Sequence, residues 1–349
     1  MMKNEFLASR RQFIKQSGLV SLGMGFCDSF ILKSLLKDFV IGHGDYKYKV
    51  DLNWGTLDKN AYPVNDCHEM VYTKEGNIFL LTNEVKNNIL VYNKDGKLIR
   101  SWGKSYPGAH GLTLSDEGGE EFLYITDTKR HAVIKTDLKG KEVMILHFPR
   151  ASRHYTKPEQ YLPTETAIAL NGDIYVADGY GSQYIMNYDS RGRLKRIFGG
   201  KGDGEDQFNN AHGIAIDKRN GKERLLITAR MQNKLKYFTL DGKYESSIDL
   251  PGAYICRPVI KNKEVYLATI WSGEGESNSG FVSILNEYNE LVSAPGGCQP
   301  VYENGSLTPM HQTAQVFKHP HDVCVDEDEN LYVCQWNAGK VYPIKLLRV

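Results

Sequence analysis

Short stretches in which hydrophobic and polar residues alternate fill the chain from residue 45 onward. Turns built on Lys-Glu-Gly, Lys-Asn-Asn and Lys-Asp-Gly separate the first four of these stretches. Alternation with a period of two predicts β-strands with one buried face, and the turns predict hairpins between them. The first four predicted strands cover residues 68–71, 77–81, 89–92 and 98–102.

The same four-strand unit recurs along the chain. The second to fifth units are predicted at 110–114, 122–126, 132–136 and 143–146; 164–170, 173–177, 184–188 and 194–198; 212–216, 224–228, 234–238 and 244–248; 256–260, 265–269, 281–285 and 291–294. A sixth unit has only three predicted strands, at 322–325, 330–334 and 341–345. Four strands in every 40–50 residues or so predict an all-β fold, a six-bladed β-propeller.

Two further features refine this prediction. Asp-Gly turns at 95–96 and 241–242 are typical of NHL-type blades. The last unit lacks an outer strand, whereas residues 46–52 alternate and precede the first unit. We therefore expect this N-terminal segment to complete the last blade and close the ring, which would also remove an exposed strand edge.

The first 44 residues have a different pattern, which predicts a signal and linker (1–44) ahead of a propeller domain (45–349). Ser9-Arg10-Arg11-Gln12-Phe13-Ile14-Lys15 matches the twin-arginine export signature S-R-R-x-F-[LI]-K, and a weakly apolar stretch follows at 19–26. This predicts export to the periplasm or cell envelope, with N-terminal membrane association. The alternative is an ordinary amphipathic helix, because Asp28 interrupts the apolar stretch and no A-x-A cleavage site follows.

Composition narrows the choice of partners. The 349 residues carry a net charge of +1 and contain no basic run, which argues against a nucleic-acid partner. The six cysteines form no CxxC pair, so we expect buried thiols rather than a disulfide framework. A small-molecule or peptide substrate and a monomeric state are the expectations that remain.

Histidines recur at one position of the repeat. His110, His212 and His321 open the second, fourth and sixth units. Alternate blades of a six-bladed ring stand about 120° apart, so the three imidazoles are predicted to converge on the central axis. Three neutral histidines with an open position are typical of a catalytic zinc, with iron as the alternative metal. The competing interpretation is a turn preference without a metal.

His68 lies in the same register of the first unit. It could be an added ligand, a proton shuttle or a wall of the channel.

Several motifs around these histidines match those of a known family. They are His110-Gly111-Leu112 with 124–127 and 131–133; Pro163-Thr164 with 176–180; Gln207-Phe208 before His212; and Pro320-His321-Asp322 with 331–333. From His110 to Lys345 the chain resembles the peptidyl-α-hydroxyglycine α-amidating lyases, six-bladed NHL-type propellers. That family cleaves a hydroxyglycine-extended peptide to a peptide amide and glyoxylate.

The resemblance implies roles for individual residues. It makes His110, His212 and His321 the metal ligands, Tyr180 the active-site tyrosine and Arg230 a substrate-side arginine. Asp322 would match an aspartate of a structural calcium site, although a simple cap or a group supporting the ligands is the alternative.

The chain departs from the family pattern at three positions. The family has a second catalytic arginine just before the first-blade histidine, but residues 64–67, just before His68, contain no arginine. His319 replaces a methionine, and Gly181 stands where the family has a disulfide cysteine. Within these 349 residues we expect no copper monooxygenase domain beside the propeller.

Two functions from different classes follow. The first is a lyase-like or hydrolase-like metal enzyme in which Tyr180 moves a proton on a small or peptidic hydroxylated substrate. The second is a non-catalytic NHL propeller that binds a peptide, glycan or protein, because fold alone does not decide function. A calcium lactonase-type propeller ranks last, since only Glu69 and Glu165 are available as acidic ligands near the strand starts. His319 and Asp322 are additional candidates for the channel.

Overall fold

The computed structural model describes residues 39–150, 152–273 and 278–349. The twin-arginine motif and Cys27 lie outside the described residues. Residues Val40–Val349 form one compact unit. Its strands are β1 (Val40–His43), β2 (Tyr46–Asp51), β3 (Cys67–Tyr72), β4 (Ile78–Thr82), β5 (Ile89–Tyr92), β6 (Leu98–Trp102), β7 (Ala109–Glu117), β8 (Glu120–Asp127), β9 (Ala132–Asp137), β10 (Glu142–His147), β11 (Glu165–Ile168), β12 (Ile174–Ala177), β13 (Tyr184–Tyr188), β14 (Leu194–Gly199), β15 (Ala211–Asp217), β16 (Arg224–Ala229), β17 (Lys234–Phe238), β18 (Tyr244–Asp249), β19 (Ala253–Lys261), β20 (Glu264–Ser272), β21 (Phe281–Leu285), β22 (Leu291–Ser293), β23 (Tyr302–Glu303), β24 (Ser306–Leu307), β25 (Pro320–Val325), β26 (Leu331–Gln335) and β27 (Ile344–Arg348).

The strands form six antiparallel blades, which confirms the predicted six-bladed β-propeller. In each of the first five blades the strands follow one another in chain order, beginning with β3, β7, β11, β15 and β19. Together with β25, these inner strands surround the central channel. Apolar side chains pack between neighbouring blades; Tyr92 of the first blade and Tyr332 of the last share one such cluster with Trp54.

The N-terminal segment closes the ring. Strand β2 pairs with β27, so that Tyr48 lies opposite Arg348, and the sixth blade has the order β1-β2-β27-β26-β25. The predicted completion of the last blade is therefore confirmed. Strand β1 adds a fifth strand that the sequence did not indicate, within the stretch predicted to be linker. It forms a hairpin with β2 and covers the edge that β2 would otherwise expose.

The long connection between the fifth and sixth blades carries a small hairpin, β23–β24, which the sequence pattern did not indicate. Two 3-10 helices, Pro158–Gln160 and Arg230–Gln232, also interrupt the loops. None of the helices in the described part of the chain has the length and apolarity needed to cross a membrane. Of the cysteines described, Cys67, Cys256, Cys298, Cys324 and Cys334 are all free thiols.

Candidate metal centre

A β-bulge marks the start of five inner strands. In β7, Ala109 and Leu112 pair with Asp127 and Ile125, so β7 holds one more residue than its partner. Equivalent shifts enclose His68, His212, Cys256 and His321 at the same point of their strands. Because a bulge bends the strand and re-aims its side chains, these residues can turn toward the channel axis.

Glycine after two of the histidines permits this close approach. A Cβ atom at Gly111 would lie 2.5 Å from the Thr164 carbonyl oxygen. One at Gly213 would lie 2.3 Å from the Arg257 Cα. The His-Gly pairs noticed in the sequence therefore reflect tight packing between neighbouring blades.

The bulges bring four imidazole rings together. The centroids of His110, His212 and His321 lie 4.8 or 4.9 Å from one another. The ring of His68 lies 4.8 Å from that of His110 and 4.9 Å from that of His321. We call His68, His110, His212 and His321 the histidine cluster; all four are at most 5% exposed.

Hydrogen bonds orient two of these rings. Nδ1 of His110 lies 2.9 Å from the Thr164 carbonyl oxygen, and Nδ1 of His321 lies 2.9 Å from that of His68. A carbonyl only accepts, so each Nδ1 carries the proton and each Nε2 keeps a free lone pair. That tautomer presents Nε2 to a metal, as histidine ligands do when a backbone carbonyl fixes the ring.

Some ring nitrogens have no partner. Nε2 of His321, Nδ1 of His212 and Nδ1 of His68 are buried without a hydrogen-bond partner among the described residues. Unpartnered buried polar atoms are rare because each forfeits its contact with water. A metal ion that accepted these lone pairs would satisfy them.

Burial keeps the cluster neutral. It lowers the pKa of His68 to about 3, with a smaller contribution from the Arg230 cation. Burial likewise holds the pKa values of His110, His212 and His321 well below the ordinary value, and neighbouring rings or Arg230 lower them further. Neutral imidazole is the form that binds metals.

The residues divide into two overlapping sets of possible ligands. His68, His110 and His321 each offer one ligand atom within 4.8 Å of the others, and so do His212, Cys256 and His321. The three predicted ligands form an almost equilateral triangle of rings. The hydroxyl of Tyr180 lies between two of them, 3.1 Å from His110 Nε2 and 3.0 Å from His212 Nε2.

A buried carboxylate holds the turn that carries Tyr180. Asp178 accepts hydrogen bonds from the Leu162 and Ser182 amides, both at 2.6 Å, and from the Tyr155 hydroxyl at 2.7 Å. Burial raises the pKa of Asp178 to about 6, against the effect of the Tyr155 bond. A Cβ at Gly181 would lie 2.1 Å from an Asp178 oxygen, so this turn has no room for a cysteine there.

Arg230 lies beside Tyr180 and Cys256, next to the histidine cluster. It is buried; its Nε donates to the Ile255 carbonyl at 3.2 Å and its Nη2 to Cys256 Sγ at 3.0 Å. Arg230 and Tyr180 line a recess of about 280 Å³, whose other lining residues are Asn210, Met231, Ile270, Trp271 and Trp336. The structure thus brings both residues predicted to be catalytic to the histidine cluster.

His319 lies outside the histidine cluster, and its role as an additional channel residue stays a prediction. Its Nε2 accepts from the Asn278 amide at 3.1 Å, and its Nδ1 lies 3.2 Å from the Asn337 carbonyl oxygen. Its ring packs 5.7 Å from that of Trp336. Although His319 is only two residues from His321, strand alternation and the bulge send the two rings to different surroundings.

Asp322 lies in the channel but binds an arginine that the sequence analysis missed. Arg257 Nε donates to Asp322 Oδ1 at 2.7 Å, and Nη2 donates to Oδ2 at 2.9 Å. The guanidinium also donates to the carbonyls of Leu112 and Met70, each at 2.8 Å. Converging carbonyl and carboxylate oxygens suit calcium. Here the guanidinium takes the place at Asp322 where a structural calcium was expected.

Two more carboxylates complete this group. Glu69 Oε2 and Glu165 Oε2 lie 3.2 and 3.7 Å from Arg257 Nη1. We call Arg257, Glu69, Glu165 and Asp322 the arginine cluster. Burial raises the pKa of Glu69 well above its ordinary value, although Arg257 opposes this. The two glutamates considered for a calcium lactonase site are thus held beside a buried cation.

Nothing in the sequence signalled Arg257 as a channel residue. Cys256 could have been found, because it opens the fifth predicted unit where other units have histidine.

Comparison with known proteins adds the following. A family described as "6-bladed beta-propeller" matches residues 165–292. The chain is 24% identical over 226 residues to mouse NHL repeat-containing protein 3, covering 62% of this chain and 63% of that protein. The protein is a six-bladed β-propeller, and its sequence is similar to that of an NHL repeat-containing protein.

Amidating enzymes are among the proteins to which this propeller is similar. It is 33% identical over 276 residues to the Drosophila melanogaster peptidyl-alpha-hydroxyglycine alpha-amidating lyase 1, covering 71% of this chain and 46% of the relative. It is 23% identical over 275 residues to the rat peptidylglycine alpha-amidating monooxygenase, covering 75% of this chain and 26% of that protein. The chain thus spans less than two thirds of the length of each of these three relatives.

Solved structures show the same fold. A streptogramin B lyase superposes with a TM-score of 0.55 at 14% identity, over 82% of this chain and 94% of that one. A gluconolactonase from Xanthomonas campestris superposes with a TM-score of 0.56 at 12% identity, over 90% of this chain and 92% of that one. At these identities the likeness concerns the fold alone.

Proposed function

We propose that the propeller is a metal-dependent, lyase-like enzyme acting on a small or peptidic hydroxylated substrate. A divalent metal, zinc before iron, would be held by His110, His212 and His321. The observation that carries this proposal is the set of buried imidazoles that meet at the axis of the ring. His212 and His321 each have a nitrogen without a partner, and Nε2 of His110 meets the Tyr180 hydroxyl. When bound, such a metal acts as a Lewis acid on a hydroxyl or carbonyl oxygen.

The recess beside the cluster would hold the substrate. Met231, Trp271 and Trp336 supply an apolar and aromatic lining, which excludes water from a bound group. Arg230 contributes a fixed positive charge at the same recess, suited to a carboxylate or another anionic group. The similarity to amidating lyases supports an α-hydroxyglycine derivative as the first substrate to test.

Tyr180 would transfer a proton to or from the substrate. Its hydroxyl is the polar group shared by His110 and His212, so it lies where a substrate hydroxyl would meet the cluster. The Tyr180 residue as a whole is 41% exposed, but its hydroxyl lies against the buried histidines. Loss of water around that hydroxyl raises the pKa of Tyr180, while the Arg230 cation opposes the rise. Asp178 acts as a positioning residue, because it holds the turn on which Tyr180 stands.

Metal analysis of the purified protein tests the site. We expect close to one equivalent of zinc or iron in the wild type and a large loss in His212→Ala. Thr308→Ala is a matched control, since Thr308 is an exposed loop residue that hydrogen-bonds only the Val301 carbonyl. A wild type that stays metal-free after gentle purification and metal addition would contradict the proposed centre.

Glyoxylate release from an N-acyl α-hydroxyglycine tests the reaction. We expect release by the wild type and at least a 100-fold loss of kcat in Tyr180→Phe, within the range that proton-transferring groups contribute. A metal-loaded wild type that releases no glyoxylate would exclude this reaction and favour a propeller that only binds its ligand.

A further inference from the structure

We propose that Cys256 is a sulfur ligand of the metal at the histidine cluster. This inference rests on the metal centre proposed above and extends it from an all-histidine to a mixed nitrogen and sulfur site. It concerns a residue that the histidine pattern of the sequence does not include.

The register of the propeller places Cys256 among the ligands. Cys256 lies in the β-bulge of β19, as His212 does in β15 and His321 in β25. The fourth, fifth and sixth blades therefore present His212, Cys256 and His321 at equivalent points of adjacent inner strands. Three neighbouring blades thus supply one potential ligand each.

The distances agree with this placement. Cys256 Sγ lies within 4.8 Å of a ring nitrogen of His212 and of one of His321. Cys256 is fully buried, and both rings have a buried nitrogen without a partner. Each of the two rings near the sulfur thus has one nitrogen with a hydrogen-bond partner and one without.

Three other contacts reach the sulfur, one of them a hydrogen bond from the Ile270 backbone amide. Arg230 Nη2 donates to Sγ at 3.0 Å, which orients the sulfur and would support a bound thiolate. On the other side, the thiol proton faces the Pro320 carbonyl oxygen at a long 3.8 Å. A metal would replace that weak contact.

Coordination changes the chemistry in a defined way. The S–H bond is replaced by a sulfur–metal bond, and the proton leaves to solvent. The net charge of the metal centre is then one lower than that of the same metal beside a neutral thiol. Thiolate is a soft ligand, so it favours zinc over magnesium, calcium and manganese. Cys256 would hold the metal together with His212 and His321, and the bound metal would supply Lewis-acid chemistry to a substrate oxygen.

Cobalt(II) substitution of the full-length protein tests the sulfur directly. Visible d–d bands report cobalt at the site, and a near-ultraviolet charge-transfer band reports a thiolate bound to it. We expect both in the wild type and in Cys324→Ser, a control in which another buried inner-strand thiol is removed. Cys256→Ser and Cys256→Ala should keep the visible bands, lose the charge-transfer band and bind zinc at least tenfold more weakly.

The outcomes separate this inference from the function it rests on. Visible bands without a charge-transfer band in the wild type would overturn the sulfur ligand and leave the metal centre standing. A charge-transfer band that survives in a folded Cys256 variant would also overturn the sulfur ligand and leave the metal centre standing. No cobalt binding by the wild type would overturn both the centre and the ligand.

Discussion

Two buried polar clusters lie one residue apart along the same inner strands and differ in how their atoms are satisfied. In the arginine cluster, Arg257 makes four hydrogen bonds, two to Asp322 and two to the carbonyls of Met70 and Leu112. Within the arginine cluster only Glu165 Oε2 is buried without a hydrogen-bond partner among the described residues, and it lies 3.7 Å from the Arg257 cation. In the histidine cluster, three ring nitrogens are left without partners. A satisfied buried network stabilises a fold, whereas an unsatisfied one indicates that something else binds there.

The chain itself alternates between the two clusters. Glu69 follows His68, Arg257 follows Cys256 and Asp322 follows His321. Three of the six inner strands, β3, β19 and β25, thus give one residue to the candidate site and the next to the arginine cluster. We expect changes in the arginine cluster to act mainly on stability and changes in the histidine cluster mainly on metal binding.

The largest expected effect is a loss of stability when the arginine cluster is broken. Arg257→Met should lower the free energy of unfolding by about 3–5 kcal/mol, because it leaves buried carboxylates without their cation. Urea unfolding of the metal-free protein measures this loss. Arg196→Gln is the matched control: its ion pair with Asp241 is exposed, so it should cost about 1 kcal/mol or less. Equal losses in both variants would show that Arg257 is not central to the ring.

A smaller effect contrasts the two clusters through metal addition. Zinc at about 100 times its dissociation constant should stabilise the metal-free protein by about 2.7 kcal/mol, as any ligand specific for the folded state does. Calcium should leave the melting temperature unchanged, because Arg257 already binds the oxygens near Asp322. Differential scanning calorimetry of chelator-treated protein measures both. If calcium stabilises the wild type and Asp322→Asn equally, it binds elsewhere, and Arg257 still occupies the place beside Asp322. If calcium stabilises the wild type but not Asp322→Asn, calcium binds at Asp322 and this interpretation is wrong.

The smallest effect is the pH dependence of His68. Its pKa falls from an ordinary 6.5 to about 3 on folding, so between these values the unfolded chain binds a proton that the folded chain does not. Its contribution to stability is therefore complete above pH 6.5 and declines by about 1.4 kcal/mol per pH unit as the pH falls. Chemical unfolding of metal-free wild type and His68→Asn at pH 7, 6 and 5 measures this.

We expect the variant to lose stability less steeply on acidification than the wild type does. Parallel curves for the two proteins would show that His68 titrates normally in the folded state.

Much of the architecture could be predicted from local pattern. The strands of the first blade match their predicted positions to within a residue or two, because alternation and turn residues are local signals. Strand β1 was missed because Val40–His43 reads Val-Ile-Gly-His, without alternation, and lies outside the repeating units. The two strands of the hairpin β23–β24 were missed because two residues each are too few to establish a period.

By itself, the sequence determined the repeat, the number of blades and the register that places His110, His212 and His321 at equivalent points. Only the tertiary structure decided which side chains meet. Arg257 contacts residues of three other blades, Met70, Leu112 and Asp322, and Cys256 joins His212 and His321 through bulges in separate strands. Such contacts depend on how distant strands curve around one axis, and no local pattern encodes that distance.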